Sequence, residues 1–323
     1  MSNEAINQDD FISGMESTLS DPAAMQAGAK RIAALPFWSG PVDPEPLPGG
    51  ASNMNFVVVD RGRKYMVRLG EDNLLTGANR TNEAHAIEAA GKVGVGPKLF
   101  FAGDGAIVVE FINGRALKPA DLREAAMMER VATTLRRAHY EIPHYLDCKD
   151  FVLWPYHHCR WYLRQAENGK KPLPDARTRE ILRLRGLVAE LAEVVGAVNI
   201  VFGHNDMMPQ NVMDTGDRIV FVDWEYSGFS PDLFDLGNLM MNADPTDDQV
   251  QMFLHYYYGA PADSTLFKRI SAMMIIAAIR EGAWSMLMET RDQVIDFDYG
   301  AYSRMCLERI AKLEQRYRGA QCP

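Results

Sequence analysis

The apolar residues of this chain change period once, and that change constrains the fold more than any other feature. Between Gly49 and about residue 112 they fall mostly in short β-rich runs, and after Pro119 they recur at helical spacing. Phe56-Val57-Val58-Val59 and Lys64-Tyr65-Met66-Val67-Arg68-Leu69 flank Asp60-Arg61-Gly62-Arg63, the pattern of a hairpin. A helix over about 79–92 follows, stopped by Gly94 and Gly96-Pro97. Two further strands, about 98–101 and 106–110, surround Gly103-Asp104-Gly105. Ahead of the sheet, Asp21-Pro22 opens a helix to about Ala34, and the proline-rich stretch 36–48 reads as an extended connector.

This order predicts an α+β fold of two lobes. A small antiparallel β lobe with one packed helix spans 22–112, behind a flexible N-terminus at 1–21. A larger, mainly helical lobe spans 113–323, the pattern breaking at Asn113-Gly114-Arg115. Leu122, Ala125, Met128, Val131, Leu135 and Ala138 carry its helical spacing, and a β island at 211–222 interrupts it.

Composition narrows the function classes. Thirty-four Lys and Arg against 43 Asp and Glu leave a net charge of -9, which disfavours a nucleic-acid partner. Cys148, Cys159, Cys306 and Cys322 form no C-x-x-C pair and no zinc spacing, and suit a reducing compartment. The N-terminus has no basic or apolar signal region, and the most apolar run, 272–279, is too short for a bilayer. A soluble, cytoplasmic chain with no membrane insertion is expected; its oligomeric state is left open.

The chemistry is concentrated in Gly203-His204-Asn205-Asp206-Met207-Met208-Pro209-Gln210-Asn211, followed by Val222-Asp223-Trp224-Glu225-Tyr226. An Asp and an Asn five apart sit on a loop, and a short hairpin later another Asp ends an apolar strand. Phosphoryl transfer to an alcohol needs the hydroxyl oriented, its proton accepted, and a hard cation on the phosphate oxygens. Asp206 can take the proton. Asp223 and Asn211 offer the carboxylate and neutral oxygen that Mg²⁺ prefers, and Glu225 a second carboxylate. Capping or turn roles are the bland alternative for such residues, and two linked motifs weigh against it.

The paired motif H-N-D-x-x-x-x-N and V-D-W-E-Y-S-G resembles the choline/ethanolamine kinase family, within the aminoglycoside phosphotransferase and protein-kinase-like superfamily, over about 47–302. The resemblance implies a two-lobed protein-kinase-like fold, ATP and Mg²⁺ as cofactors, and a small-molecule alcohol, choline or a related amino alcohol, as acceptor. It implies Asp206 as catalytic base, Asn211 and Asp223 as metal ligands, Glu225 as a second ligand, and His204 as a brace of the catalytic loop. Gly50, Ser52 and Asn53 resemble the family's phosphate-covering turn, and no G-x-x-x-x-G-K-[ST] is present. Arg68 stands where protein kinases carry lysine, with Glu83 placed on the next helix to pair with it. Glu110, Phe111 and Ile112 match the hinge that meets adenine.

For the acceptor, Tyr226, Trp284 and Tyr299 resemble the family's ammonium-facing aromatics, since a quaternary ammonium has no N–H and is held by ring faces. Where eukaryotic choline kinases carry a further tryptophan, this chain has Glu281, whose carboxylate can accept a hydrogen bond from an amine. Asn242 stands in place of a carboxylate, and Met208 in place of a polar residue. Three alternatives stay open. A kinase of the same superfamily acting on an aminoglycoside, thiamine or a sugar shares the catalytic residues; a non-catalytic nucleotide binder would have lost some of them. A protein kinase is disfavoured by the short span from Asp223 to Asp235 and the lack of an A-P-E motif.

Overall fold

The computed structural model describes residues 22–47, 53–147, 151–291 and 298–319. The expectations for 1–21, Gly50, Ser52, Cys148 and Cys322 fall outside these residues. Helix α1 (Pro22–Ala33) leads into the short strand β1 (Glu45–Leu47), which pairs with β2 (Met54–Asp60). The stretch expected as a plain connector therefore ends in an edge strand. Pro46 is tolerated there because an edge leaves one backbone face unpaired. Strand β3 (Arg63–Leu69) closes the first hairpin through Arg61 and Gly62, both at positive φ, the twist that two-residue hairpin turns require.

Helix α2 (Arg80–Val93) follows, with Asn79 Oδ1 accepting the Asn82 backbone N–H at 2.8 Å as N-cap and Gly94 left-handed as C-cap. That cap places Glu83 in the first turn. Strands β4 (Leu99–Gly103) and β5 (Ala106–Glu110) complete an antiparallel sheet of order β1-β2-β3-β5-β4. Period-two alternation divides this sheet between two layers. Phe56, Val58, Val67, Leu69 and Val108 pack with Met25 and Ile32 of α1, where Gly28 sits so close to Phe56 that a Cβ would lie 3.1 Å from the ring. Ile107 and Val109 face the other way, onto Ala86, Ala89 and Ala90 of α2. Helix α1 thus covers the face opposite the expected packed helix.

The chain crosses to the larger lobe through β6 (Arg115–Ala116). There follow α3 (Ala125–Glu141), α4 (Pro155–Glu167), α5 (Asp175–Val195), β7 (Ile200–Gly203), β8 (Val212–Asp214), β9 (Ile219–Phe221) and β10 (Gly228–Pro231). Helices α6 (Asp232–Ala243), α7 (Asp247–Tyr258), α8 (Ser264–Glu289) and α9 (Tyr299–Gly319) complete it. The β island pairs β6-β8-β9, and a separate two-stranded sheet pairs β10 with β7.

Helix α8 is the axis of this lobe, packing against α4, α5, α6 and α9. Taken whole, it is long and apolar enough to cross a membrane by length and composition, which the run 272–279 alone is not. Its most apolar window is 83% buried against the chain's own helices, so its apolar character goes into the core.

Candidate active site

Strand β7 delivers the chain to Asn205, whose φ of 67° turns the loop sharply. Asn tolerates this left-handed conformation, and its Nδ2 donates to the carbonyls of Tyr226 at 3.0 Å and Gly228 at 3.2 Å. One buried carboxylate organises the turn. Asp235, at the start of α6, accepts the backbone N–H groups of His204 and Asn205 at 2.6 and 2.7 Å and lies 3.0 Å from His139 Nε2. His139 Nδ1 in turn meets Tyr257 Oη at 2.6 Å. Burial alone raises the Asp235 pKa; its hydrogen bonds to the His139 ring and the His204 backbone, with the electrostatic influence of both histidines, outweigh burial and hold it below the ordinary carboxylate value.

His204 braces the loop, as the motif implied. Its Nε2 lies 2.8 Å from the Val222 carbonyl, and its Nδ1 accepts the Asp206 N–H at 3.3 Å. Its ring lies 4.7 Å from that of Trp224, which is fully buried and donates through Nε1 to Phe221 O. The tryptophan of the D-W-E-Y motif therefore ties the two motifs together through the core.

Asn211 ends a single 3₁₀ turn and donates from Nδ2 to the Asp206 carbonyl at 2.9 Å. That bond commits the nitrogen of the amide and leaves its oxygen end for a cation. Its backbone carbonyl accepts the Val222 N–H at 3.0 Å, which brings Asp223 alongside. Asp223 is itself at positive φ, 67°, and its Oδ1 meets Arg68 Nη1 at 2.5 Å. Arg68 also pairs with Glu83 at 2.8 Å, so the expected arginine–glutamate pair is present and is extended into the large lobe. Burial raises the Asp223 pKa, but the Arg68 guanidinium outweighs it and holds the carboxyl below its ordinary value. Glu83 has its pKa raised, because burial outweighs Arg68 and Arg80 there.

Glu225 faces the small lobe. Its Oε2 accepts from Asn53 Nδ2 at 2.9 Å and from Arg80 Nη2 at 2.8 Å, and Arg80 also pairs with Glu83. Among the described residues no three His, Cys, Asp or Glu side chains converge on one point. The available oxygens, the Asp223 carboxylate and the Asn211 amide, suit Mg²⁺, which takes one or two protein carboxylates and fills its octahedron with phosphate and water. At the joint between lobes, Glu110, Phe111 and Ile112 run from β5 toward β6, and the Glu110 N–H donates to Lys98 O at 2.9 Å.

The Tyr226 side of the loop holds a residue that sequence reasoning passed over. Arg280 of α8, only 6% exposed, donates from Nη1 to Asp206 Oδ1 at 2.8 Å, and its Cζ lies 4.8 Å from the centre of the Tyr226 ring. Burial disfavours the Arg280 charge, but Asp206 more than compensates, and the guanidinium stays protonated. Asp206 itself has its pKa raised, because burial outweighs Arg280.

Trp284, one helical turn beyond Arg280, stacks edge-on with Tyr299 at 5.7 Å. Glu281 is engaged elsewhere: Arg309 pairs with it at 3.0 Å and the Tyr302 hydroxyl donates to it. Arg309 also reaches Asn242 Oδ1 at 3.2 Å. The other aromatic runs serve packing and bracing. Tyr258 donates to Asp232 at 2.8 Å, and Trp161 and Tyr162 of α4 donate to the carbonyls of Leu75 and Thr76 in the small lobe.

Arg80, Asp235 and Arg280 are the residues sequence reasoning missed. Arg80 and Glu83 stand three apart at a helix start, and Asp235 lies in the Phe234-Asp235 segment, so faint signals existed for those two. Nothing local marks Arg280.

With this geometry in hand, the comparisons with known proteins are decisive. The family model described as Choline/ethanolamine kinase matches residues 45–310. The chain belongs to the choline/ethanolamine kinase family. This family member is 27% identical over 281 residues to "Probable choline kinase 1" of Arabidopsis thaliana, covering 77% of this chain and 78% of that protein. A solved choline/ethanolamine kinase family protein from Mesorhizobium loti superposes with a TM-score of 0.70 at 24% identity, covering 89% of this chain and 94% of the other. The choline kinase LicA of Streptococcus pneumoniae does so with a TM-score of 0.68 at 20% identity, covering 90% and 99%. These two structures share its two-lobed fold.

Proposed function

We propose that this protein is a small-molecule kinase that transfers the γ-phosphoryl group of ATP to the hydroxyl of a small alcohol, with choline and ethanolamine the first acceptors to test. The observation that carries this reading is the placement of Asp206 on a loop braced by Asp235 and His204, with Asn211 and Asp223 joined to it by backbone and side-chain hydrogen bonds. Asp206 orients the acceptor hydroxyl and accepts its proton. A bond forms between that oxygen and the γ-phosphorus, the bond to the β–γ bridging oxygen breaks, and ADP leaves.

Arg68, fixed by Glu83 and Asp223, presents its guanidinium to the ATP phosphates. Asp223 and Asn211 would hold Mg²⁺, with Glu225 beside them, and the ion when bound neutralises charge on the phosphate oxygens. Asn53, which donates to Glu225, stands on the phosphate side in this reading. The hinge 110–112 meets the adenine, and Tyr226, Trp284 and Tyr299 line the acceptor side. Glu281, held by Arg309, orders that wall rather than meeting the acceptor directly.

The test is ADP release from Mg·ATP by the purified protein with choline, ethanolamine, methylated ethanolamines, thiamine, aminoglycosides and small sugars. Stimulation of at least about tenfold by at least one of these alcohols is expected; no stimulation by any alcohol would remove the kinase reading.

A pH prediction follows from Asp206. A base acts only when deprotonated, and burial raises this carboxyl, so kcat falls on the acid side with its half-point above the ordinary carboxylate value of 3.8. A pH–rate profile in wild type, under conditions where chemistry limits turnover, checks this. A rate that stays flat down to pH 4 would count against Asp206 as the base.

A further inference from the structure

We propose that Arg280 is the specificity-determining residue of the acceptor site, turning it away from quaternary ammonium alcohols. This rests on the kinase reading above and deepens it. A quaternary ammonium has no N–H, so it binds through aromatic faces and a nearby negative charge. In this chain the matching pair is the Tyr226 ring and the Asp206 carboxylate, and the protein's own cation already occupies both. The guanidinium lies 4.8 Å from the Tyr226 ring centre and 2.8 Å from Asp206 Oδ1. A quaternary ammonium brought to the same ring would meet a like charge at close range, and like-charge contact across a binding surface is strongly disfavoured.

The surroundings keep Arg280 in place. It stands on α8 between Ile279 and Gly282, among residues packed into the core. Among the described residues, the other titratable groups that act on it are Tyr162, Cys159 and His158 from α4, Tyr226 from the loop after β9, and Asp206, the carboxylate it bonds.

A second observation points to what the site does take. Arg280 Nε is buried with no hydrogen-bond partner, and so is His158 Nδ1. Burial, reinforced by the Arg280 charge, pushes the His158 pKa down to about 3, which keeps the ring neutral. Buried polar atoms without partners are rare and costly. An acceptor alcohol whose head group lacks a fixed positive charge can lie against this guanidinium without like-charge repulsion. A trimethylammonium group cannot. The occupied cation site thereby favours a neutral head group.

The experiment compares choline with its neutral carbon isostere, 3,3-dimethyl-1-butanol, which has the same shape without the charge. ADP release is measured for wild type, Arg280→Met and Arg280→Lys. A ligand-observed NMR titration with tetramethylammonium reads binding without turnover. Wild type is expected to use the isostere with a kcat/KM about tenfold or more above that for choline, Arg280→Met to reverse the order, and Arg280→Lys to keep it. Tetramethylammonium should bind Arg280→Met at least about tenfold more tightly than wild type.

A wild-type preference for choline overturns the proposal, as does equal tetramethylammonium binding by the two proteins. Should Arg280→Met not fold, the wild-type preference and Arg280→Lys decide the matter. Should no alcohol release ADP, the kinase reading falls, and the titration alone then tests Arg280.

Discussion

Asp206→Asn is expected to lower kcat about 10²–10⁴-fold, the usual contribution of a positioned general base. ATP affinity should change by less than about threefold, because in the proposed reading Asp206 meets the acceptor while Arg68 and Asp223 meet the phosphates. Asparagine is chosen over alanine for a physical reason. Its carbonyl oxygen can still accept the hydrogen bond from Arg280 Nη1, so the buried guanidinium keeps a partner. Alanine would remove the hydrogen bond as well as the opposite charge, at a cost of about 3–5 kcal/mol, and would mix a larger folding defect with the catalytic one. Steady-state ADP release, calorimetric nucleotide binding and a thermal melt on the same preparation separate the effects. Near-normal turnover in Asp206→Asn would show that some other group takes the proton.

Asp235→Ala should produce the opposite signature, a loss of stability with turnover lost in consequence. The carboxylate satisfies the His204 and Asn205 backbone N–H groups and holds His139, and all of these are buried. Each buried polar group left unpaired costs roughly 1–3 kcal/mol, so three of them cost roughly 3–6 kcal/mol after partial relaxation. The loop that carries Asp206 would lose its shape at the same time. A lowered melting temperature together with abolished turnover is expected, whereas Asp206→Asn, which keeps the hydrogen bond from Arg280, should lower it less. A melting temperature within about 2 °C of wild type would show that water or a rearranged loop replaces the carboxylate.

The Asp235 carboxyl also couples folding to pH. Its folded-state pKa lies below the ordinary value, so the stability it adds is fully present above the unfolded-state pKa and is lost as pH falls through the folded one. Asp235→Asn should therefore make the acid limb of the stability profile shallower.

The features legible in the sequence are those whose physics is local. The hairpins were readable because β alternation and two-residue turns are matters of neighbouring residues, and the helix after β3 announced its own start at Asn79 and end at Gly94. The candidate site hairpin was readable for the same reason: Asp206, Asn211 and Asp223 lie within one loop and one short β turn. Even the Arg68–Glu83 pair needed only a strand and the helix that follows it.

What the tertiary structure decided is which charges meet across the lobes and across the large lobe's core. Arg80 and Glu225 are 145 residues apart, Arg68 and Asp223 155, and Arg280 and Asp206 74. No local spacing encodes such pairs, because each depends on how α8, α2 and the catalytic loop pack once apolar burial has set their positions. The surroundings of Tyr226 show the difference most clearly. The sequence by itself determined the α+β architecture and the residues suited to phosphoryl transfer. That the Tyr226 face is filled by the protein's own guanidinium, and that Glu281 is neutralised by Arg309, follows only from packing, since a buried charge takes whichever partner the fold brings within reach.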